Sequence, residues 1–133
     1  MADQVGGILD TSIFIAREQR RTTRPTPLPD GLAVSVVTLA ELRVGVLRET
    51  DARRQVLRLA TLERALRIRT IDIDETVAFN WAVLRARAQS HSQGRVNDLW
   101  IAATALALRV PVITQDEGFV RLKSIGGPDV IVV

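Results

Sequence analysis

The stretch "VGGILDTSIFIARE" (residues 5–18) joins a short apolar run to a helix-like segment through one carboxylate. We predict a strand over Val5–Leu9 and a short helix over Thr11–Glu18, with Asp10 between them. Asp10 has two readings. It can cap the helix, as aspartate often does, or it can be the first ligand of a metal site. The choice depends on whether other carboxylates come to the same place.

The same alternation of strand and helix continues along the chain. "LAVSVV" (Leu32–Val37) is a continuous apolar, β-branched run, typical of a strand buried on both faces. Further strands are predicted at Thr70–Ile73, "VPVIT" (110–114) and "VIVV" (130–133). Further helices are predicted at Thr38–Arg48, at Asp51–Arg67, from the N-cap Asp74 to about His91, and from Asn97 or Asp98 to Arg109. This order predicts an α/β fold with a mostly parallel sheet covered on both faces.

Composition narrows the class of protein. The 133 residues predict one domain over 1–133 with a substantial core. The absence of cysteine excludes disulfides and thiolate metal sites and fits a reducing cytoplasm. "MADQVGG" lacks the features of a secretory signal, and no apolar run reaches the ~20 residues that cross a bilayer. We therefore expect a cytoplasmic protein without a membrane segment.

The basic residues are nearly all arginine. Seventeen of the eighteen cations are arginine, and Lys123 is the one lysine. If four of the fifteen acids gather in one site, eighteen cations face eleven remaining acids, which leaves an excess of seven positive charges. An acidic pocket in a basic surface suits a polyanion that is held by its phosphates and approached by metal.

Four acids are placed by the predicted topology at one edge of the sheet. Functional groups in open parallel sheets collect outside the carboxyl ends of the strands. Asp10 and Asp116 each follow a strand, and Glu41 lies one turn into the helix after Leu32–Val37. Asp98 begins a helix that climbs about 17 Å before a strand of about 16 Å returns the chain to the same edge. The four carboxylates are therefore expected to converge.

Each of these acids also has a structural reading. Thr38 and Glu41 fit a capping box, the helix dipole favours Asp98 in a first turn, and Asp10 and Asp116 suit turns or caps. Their joint placement at one edge favours the functional reading. Three other acids are interpreted as structural: Asp72, Asp74 and Glu75.

An acidic cluster without basic catalysts points to metal chemistry. Packed carboxylates repel one another unless cations neutralise them, and Mg²⁺ and Mn²⁺ prefer oxygen ligands. One or two such ions activate the attacking water and stabilise the leaving oxygen. The chain has no tyrosine or cysteine, and its single histidine, His91, is predicted at a solvated helix end. Metal-activated water is therefore the favoured mechanism.

Four motifs resemble, in order and spacing, those of the PIN-domain ribonucleases. They are "ILDTS" (8–12), "SVVTLAEL" (35–42), "NDLWIAATAL" (97–106) and "VITQDEGF" (112–119). The chain is most similar to the VapC toxin subunits of bacterial VapBC toxin–antitoxin pairs. The resemblance implies a PIN-like three-layer α/β/α sandwich, Mg²⁺- or Mn²⁺-dependent endonuclease activity on RNA, and a homodimer. It also implies a VapB-like antitoxin that covers the acidic pocket.

The resemblance also assigns residues. It places the catalytic, metal-binding acids at Asp10, Glu41, Asp98 and Asp116. The neighbouring hydroxyl and amide groups, which we expect to bind substrate, are Thr11, Ser12, Asn97 and Thr114. A fifth acidic ligand at Glu117 stays open. For holding RNA, the first choice is Arg95, which lies beside the Asn97–Asp98 pair, and a second basic group comprises Arg17, Arg20, Arg21 and Arg24.

Three functions compete at this point. The leading hypothesis is a metal-dependent endoribonuclease toxin, and the alternative is a catalytically silent PIN-like module that binds RNA or protein. The third, a phosphoaspartyl phosphatase or receiver domain, needs a lysine near the last strands, and Lys123 is a poor match. Trp81 and Trp100 are antitoxin contacts or, as their apolar helix faces favour, core residues. The apolar segment Leu99–Leu108 predicts a buried helix.

Overall fold

The structure is a computed structural model that describes residues 4–88 and 96–133. The strands are β1 (Gly7–Leu9), β2 (Leu32–Ser35), β3 (Arg69–Ile71), β4 (Val112–Thr114) and β5 (Val130–Val132). The α-helices are α1 (Thr11–Glu18), α2 (Val36–Arg48), α3 (Ala52–Leu66), α4 (Glu75–Arg87) and α5 (Val96–Leu108). A 3₁₀ helix, Glu117–Ile125, connects β4 to β5 and was not expected from the sequence.

The five strands form one sheet in the order β3-β2-β1-β4-β5, and each neighbouring pair is parallel. The chain builds one half of the sheet outward from β1 to β3 and then returns to add β4 on the other side of β1. The strand order therefore reverses between β1 and β4. In such sheets the crevice at the reversal point, outside the carboxyl ends of the strands, is where ligands bind.

The side chains of each strand alternate between two cores. Ile8, Ala33 and Val112 pack in one core, with buried side chains of α4, α5 and the 3₁₀ helix. Their neighbours Leu9, Val34 and Ile113 pack in the other, with side chains of α1, α2 and α3. This two-residue period is the property of a strand covered on both faces. The predicted three-layer α/β/α sandwich with a parallel sheet is confirmed.

The ends of several elements differ from the sequence prediction. The strand predicted over Leu32–Val37 ends at Ser35, because the Ser35 side chain accepts a hydrogen bond from Val37 N and starts α2 there. The helix predicted to reach about His91 ends at Arg87, and residues 89–95 lie outside the described ranges. Asp74 caps this helix as expected, with its carboxylate 2.9 Å from Val77 N.

The two tryptophans belong to the core between α4 and α5. Trp81 and Trp100 pack against buried residues, and their rings stack with centroids 4.6 Å apart and planes 9° from parallel. This contact supports the core reading of both residues. Within α5, Leu99 and Ile101–Ala105 are buried as predicted, whereas Leu108 is exposed. Among the described residues, no helix combines the length and apolarity that a membrane crossing requires.

Candidate active site

A cleft of about 430 Å³ opens at the carboxyl edge of the sheet, where the strand order reverses. The four predicted acids, brought together from widely separated parts of the chain, all line it: Asp10, Glu41, Asp98 and Asp116. Asp10 directly follows β1, and Asp116 follows β4, the neighbouring strand. Glu41 projects from α2, and Asp98 lies in the first turn of α5. The predicted convergence is confirmed as geometry, while the roles of these acids stay a prediction.

Asp10 is both a helix cap and a wall of the cleft. Its carboxylate caps α1 through a 3.4 Å hydrogen bond from Ser12 N, and it also accepts a 2.8 Å bond from the Thr114 hydroxyl. Both bonds end on Oδ2, so the two readings of Asp10 are compatible. The residue is only 4% exposed. Burial raises the pKa of Asp10 above its usual value, although these hydrogen bonds act in the opposite direction.

The Thr114 hydroxyl connects the acids at the reversal point. It donates to Asp10 Oδ2, lies 3.1 Å from Ser12 Oγ, and accepts a 2.8 Å bond from Asp116 N. Because its one proton goes to Asp10, the Ser12 hydroxyl is the donor in their contact. Thr114 itself is fully buried. The Thr114 side chain therefore positions the two aspartates.

Glu41 is held by the first residue of α1. The Thr11 hydroxyl donates to Glu41 Oε1 at 2.7 Å and lies 3.0 Å from the Thr38 hydroxyl. Since Thr11 has one proton, Thr38 donates to Thr11. The capping-box reading of Thr38 and Glu41 is wrong, because Ser35 is the N-cap and Thr38 is a buried residue inside the helix. Glu41 therefore stands well inside α2 and faces the cleft.

The other predicted site residues occupy different positions. Asn97 lines a neighbouring pocket of about 380 Å³ that shares Glu41 with the main cleft. Arg95 and His91 lie outside the described residues. Asp116 is exposed, and its Oδ1 accepts from Gly118 N at 2.8 Å, which caps the 3₁₀ helix. Glu117 lies 3.6 Å from the guanidinium of Arg24, and both side chains are largely exposed.

Three further charged residues line the cleft: Glu18 and Arg58, which the sequence prediction did not name, and Arg21, which it placed in the second basic group. Glu18 reaches it from α1 and accepts a 2.9 Å bond from the buried Thr61 hydroxyl. Arg21 follows α1, and Arg58 comes from α3. The spacing of Glu18 from Asp10, two helical turns, is a signal that could have identified it. Arg58 carried no such signal, because its approach depends on how α3 packs against α2.

Lys123 is placed far from the acids. It forms an ion pair with Asp129, beside a pocket lined by Arg109 and Pro111 at the amino ends of β4 and β5. This is the opposite edge of the sheet from Asp10, so the receiver-type arrangement is excluded.

The donor set of the cleft consists of carboxylates and hydroxyls, which suits a hard cation such as Mg²⁺. Within residues 4–88 and 96–133, no three acidic, histidine or cysteine side chains are grouped closely enough to hold an ion by themselves. Mg²⁺ fits this arrangement, because it typically takes one or two carboxylates and completes its shell with water and substrate phosphate.

Comparison with known proteins agrees with this architecture. The PIN domain family matches residues 7–125. Ribonuclease VapC5 of Mycobacterium tuberculosis (strain ATCC 25618 / H37Rv) is 48% identical over 128 residues, which cover 94% of this chain and 93% of that protein. Ribonuclease VapC4 of the same strain is 38% identical over 132 residues, covering 95% and 94%.

A solved structure extends the likeness to three dimensions. The crystal structure of VapBC-5, a member of the VapBC family of toxin–antitoxin systems from Mycobacterium tuberculosis, matches with a TM-score of 0.83 and 43% identity. The match covers 97% of this chain and 99% of that one. The chain therefore belongs to the PIN-domain family and, within it, to the VapC proteins.

Proposed function

We propose that this chain is the endoribonuclease toxin of a type II toxin–antitoxin pair and hydrolyses RNA phosphodiester bonds with a divalent metal. The observation that carries the proposal is the convergence of four acids, from four separate elements, on one cleft at the strand-order reversal. Membership of the VapC proteins supports it, since the curated relatives are ribonucleases. We expect residues 1–133 to form a single nuclease domain that acts on RNA in the cytoplasm.

The metal we propose is Mg²⁺ or Mn²⁺, one or two ions per site, with protein ligands drawn from Asp10, Glu41, Asp98 and Asp116. A bound ion would supply charge neutralisation and activation of the water that attacks phosphorus. The raised pKa of Asp10 is consistent with a carboxylate that needs a neighbouring cation to remain ionised.

The chain's own groups orient these acids and the RNA. Thr11 fixes one oxygen of Glu41, and Thr114 fixes one oxygen of Asp10, so both carboxylates are held in a defined orientation. We assign Thr11, Ser12, Arg95, Asn97 and Thr114 to the substrate side of the site. Of these, Ser12 supports Thr114, and Arg95 stands among the residues whose structure is not described.

The partners follow from the same family membership. We infer a VapB-like antitoxin that covers the acidic cleft, because the solved relative is part of a toxin–antitoxin system. We also infer a homodimer. Light scattering of the purified chain tests the dimer. Adding the separately purified antitoxin should stop RNA cleavage if the antitoxin covers the cleft.

The direct test is cleavage of an end-labelled panel of structured RNAs, tRNAs included, in Mg²⁺, Mn²⁺ or EDTA. Asp98→Asn should abolish metal-dependent cuts. Asp74→Asn is the matched control, because Asp74 caps α4, is not among the described residues lining the cleft, and asparagine caps a helix equally well. Equal cutting by the wild type and Asp98→Asn would contradict the proposal. If the folded protein neither cuts RNA nor binds divalent metal in a titration, the silent RNA- or protein-binding module is favoured.

A further inference from the structure

Glu49, the C-cap residue of α2, contacts two arginines from α3. Its carboxylate accepts from Arg54 Nε at 3.0 Å and lies 3.1 Å from a terminal nitrogen of Arg58. It also accepts a 3.2 Å bond from Asp51 N. Its side chain is only 8% exposed, whereas that of Arg54 is 66% exposed. Two guanidinium groups share this one carboxylate, so Glu49 by itself neutralises only one of the two arginines.

Arg58 is held at a second point. Its Nη1 donates to the Gly45 carbonyl oxygen at 3.1 Å, while Nη2 lies 3.1 Å from Glu49 Oε2. Two anchors on one planar group fix its orientation, yet the side chain remains 38% exposed. A guanidinium has five N–H donors, so donors remain beyond these two contacts. Arg58 and Gly45 both line the acidic cleft, and Arg54 is not among the described residues that do.

The position of Arg58 relative to the acids suits a phosphate that neighbours the one being cut. Gly45 follows Glu41 by four residues of α2, which is about 6 Å along the helix axis. Successive phosphates of a single RNA strand are spaced on this scale. A strand whose scissile phosphate lies beside the four acids therefore presents its next phosphate to the Arg58 guanidinium. Arginine recognises phosphate through paired N–H groups of this kind.

We infer that Arg58 is a phosphate-binding subsite for the RNA nucleotide that flanks the scissile bond, and that Glu49 is the residue positioning it. This inference rests on the proposed function of the cleft. It also explains how an acidic cleft retains a polyanion, since Arg58 supplies a fixed positive charge inside its wall.

The test is RNA binding measured in EDTA, where no metal-dependent cutting occurs. The probe is a fluorescein-labelled oligoribonucleotide of mixed sequence, followed by anisotropy across a salt series. Arg58→Ala should weaken binding about tenfold, the effect of losing one charge-assisted hydrogen bond. The slope of log K against log salt should fall by about 0.7. Arg54→Ala shares the ion pair with Glu49 and is the matched control, expected within about twofold of wild type.

A second measurement locates the phosphate. Single phosphate linkages of the RNA are replaced, one at a time, by neutral methylphosphonates. One replacement, next to the scissile bond, should weaken RNA binding to the wild-type protein. The same replacement should not weaken RNA binding to Arg58→Ala. Glu49→Gln should weaken binding in the wild-type background but not in Arg58→Ala, as a positioning role requires. If Arg58→Ala does not fold, Arg58→Lys replaces it in both measurements. Lysine keeps the charge but loses the paired N–H groups, so its RNA affinity should lie between those of wild type and an alanine variant.

The two proposals fail in different ways. If wild type binds and cuts RNA but Arg58→Ala matches Arg54→Ala, the subsite is overturned and the nuclease stands. If wild type cuts the RNA panel in Mg²⁺ but binds no RNA in EDTA at any salt concentration, the subsite is overturned and the nuclease stands; if it neither cuts nor binds, both are overturned. If every methylphosphonate position behaves alike in wild type and Arg58→Ala, Arg58 holds no defined phosphate and the inference is wrong.

Discussion

Replacing Thr114 by valine tests whether its hydroxyl organises the site. The substitution keeps the side-chain volume but removes three hydrogen bonds, those with Asp10 Oδ2, Ser12 Oγ and Asp116 N. The bond to the Asp10 carboxylate alone is worth about 1.5–3 kcal/mol, because it solvates a buried charge. The other two lie nearer the rim, where water replaces them in part. We expect the free energy of unfolding to fall by about 3 kcal/mol.

Urea unfolding followed by circular dichroism in EDTA measures this change. Thr104→Val is the matched control, because Thr104 is also fully buried and its hydroxyl only donates to the Trp100 carbonyl within the same helix. That carbonyl keeps its helical hydrogen bond, so the control should lose less than about 1 kcal/mol. If Thr114→Val and Thr104→Val were equally stable, the hydroxyl would not support the aspartates and the reasoning would be refuted.

Three further changes have defined outcomes. Because burial raises the pKa of Asp10, its contribution to stability is largest below its usual value of 3.8 and is lost as pH rises through the folded pKa. Asp10→Asn, which keeps a helix cap, should remove this decline and unfold at higher urea than wild type at pH 7; an unchanged pH profile would contradict the raised pKa. Arg109, the residue after α5, has a φ of 58°, a left-handed backbone conformation that glycine adopts without strain. Arg109→Gly should therefore raise the free energy of unfolding by about 1 kcal/mol, as measured by thermal unfolding. Gly45→Ala adds a Cβ 3.6 Å from Arg58, an ordinary contact, and should stabilise α2 by about 0.5–1 kcal/mol; a loss would show that Arg58 is displaced.

The sequence was informative wherever one residue determines a local event. The carboxylate of Asp74 starts a helix by a bond within one turn, and that bond is present. The continuous apolar character of Leu32–Val34 indicated burial on both faces, which the two cores show. The convergence of Asp10, Glu41, Asp98 and Asp116 was predictable because it follows from strand direction and element length alone.

Features that depend on packing between elements were not predictable. Thr38 fitted a capping box, yet Ser35 starts the helix one turn earlier, because both residues are competent caps and only the sheet decides where the strand ends. Arg58 resembled any exposed helical arginine until α3 packed against α2 and brought it to the Gly45 carbonyl. The sequence also gave no indication that Glu49 forms ion pairs, since its two guanidinium partners lie on the next helix.

The bond between Thr114 and Asp10 joins residues 104 positions apart, and the contact between Ser12 and Thr114 spans 102. Closing a loop of this length is entropically costly, and contacts of large sequence separation form slowly. A chain emerging from the ribosome therefore has no assembled acidic cleft until β4 has been made and has inserted beside β1. Asp98 and Asp116 are the last of the four acids to be synthesised, so the complete donor set of the cleft exists only once the C-terminal part of the chain has been made.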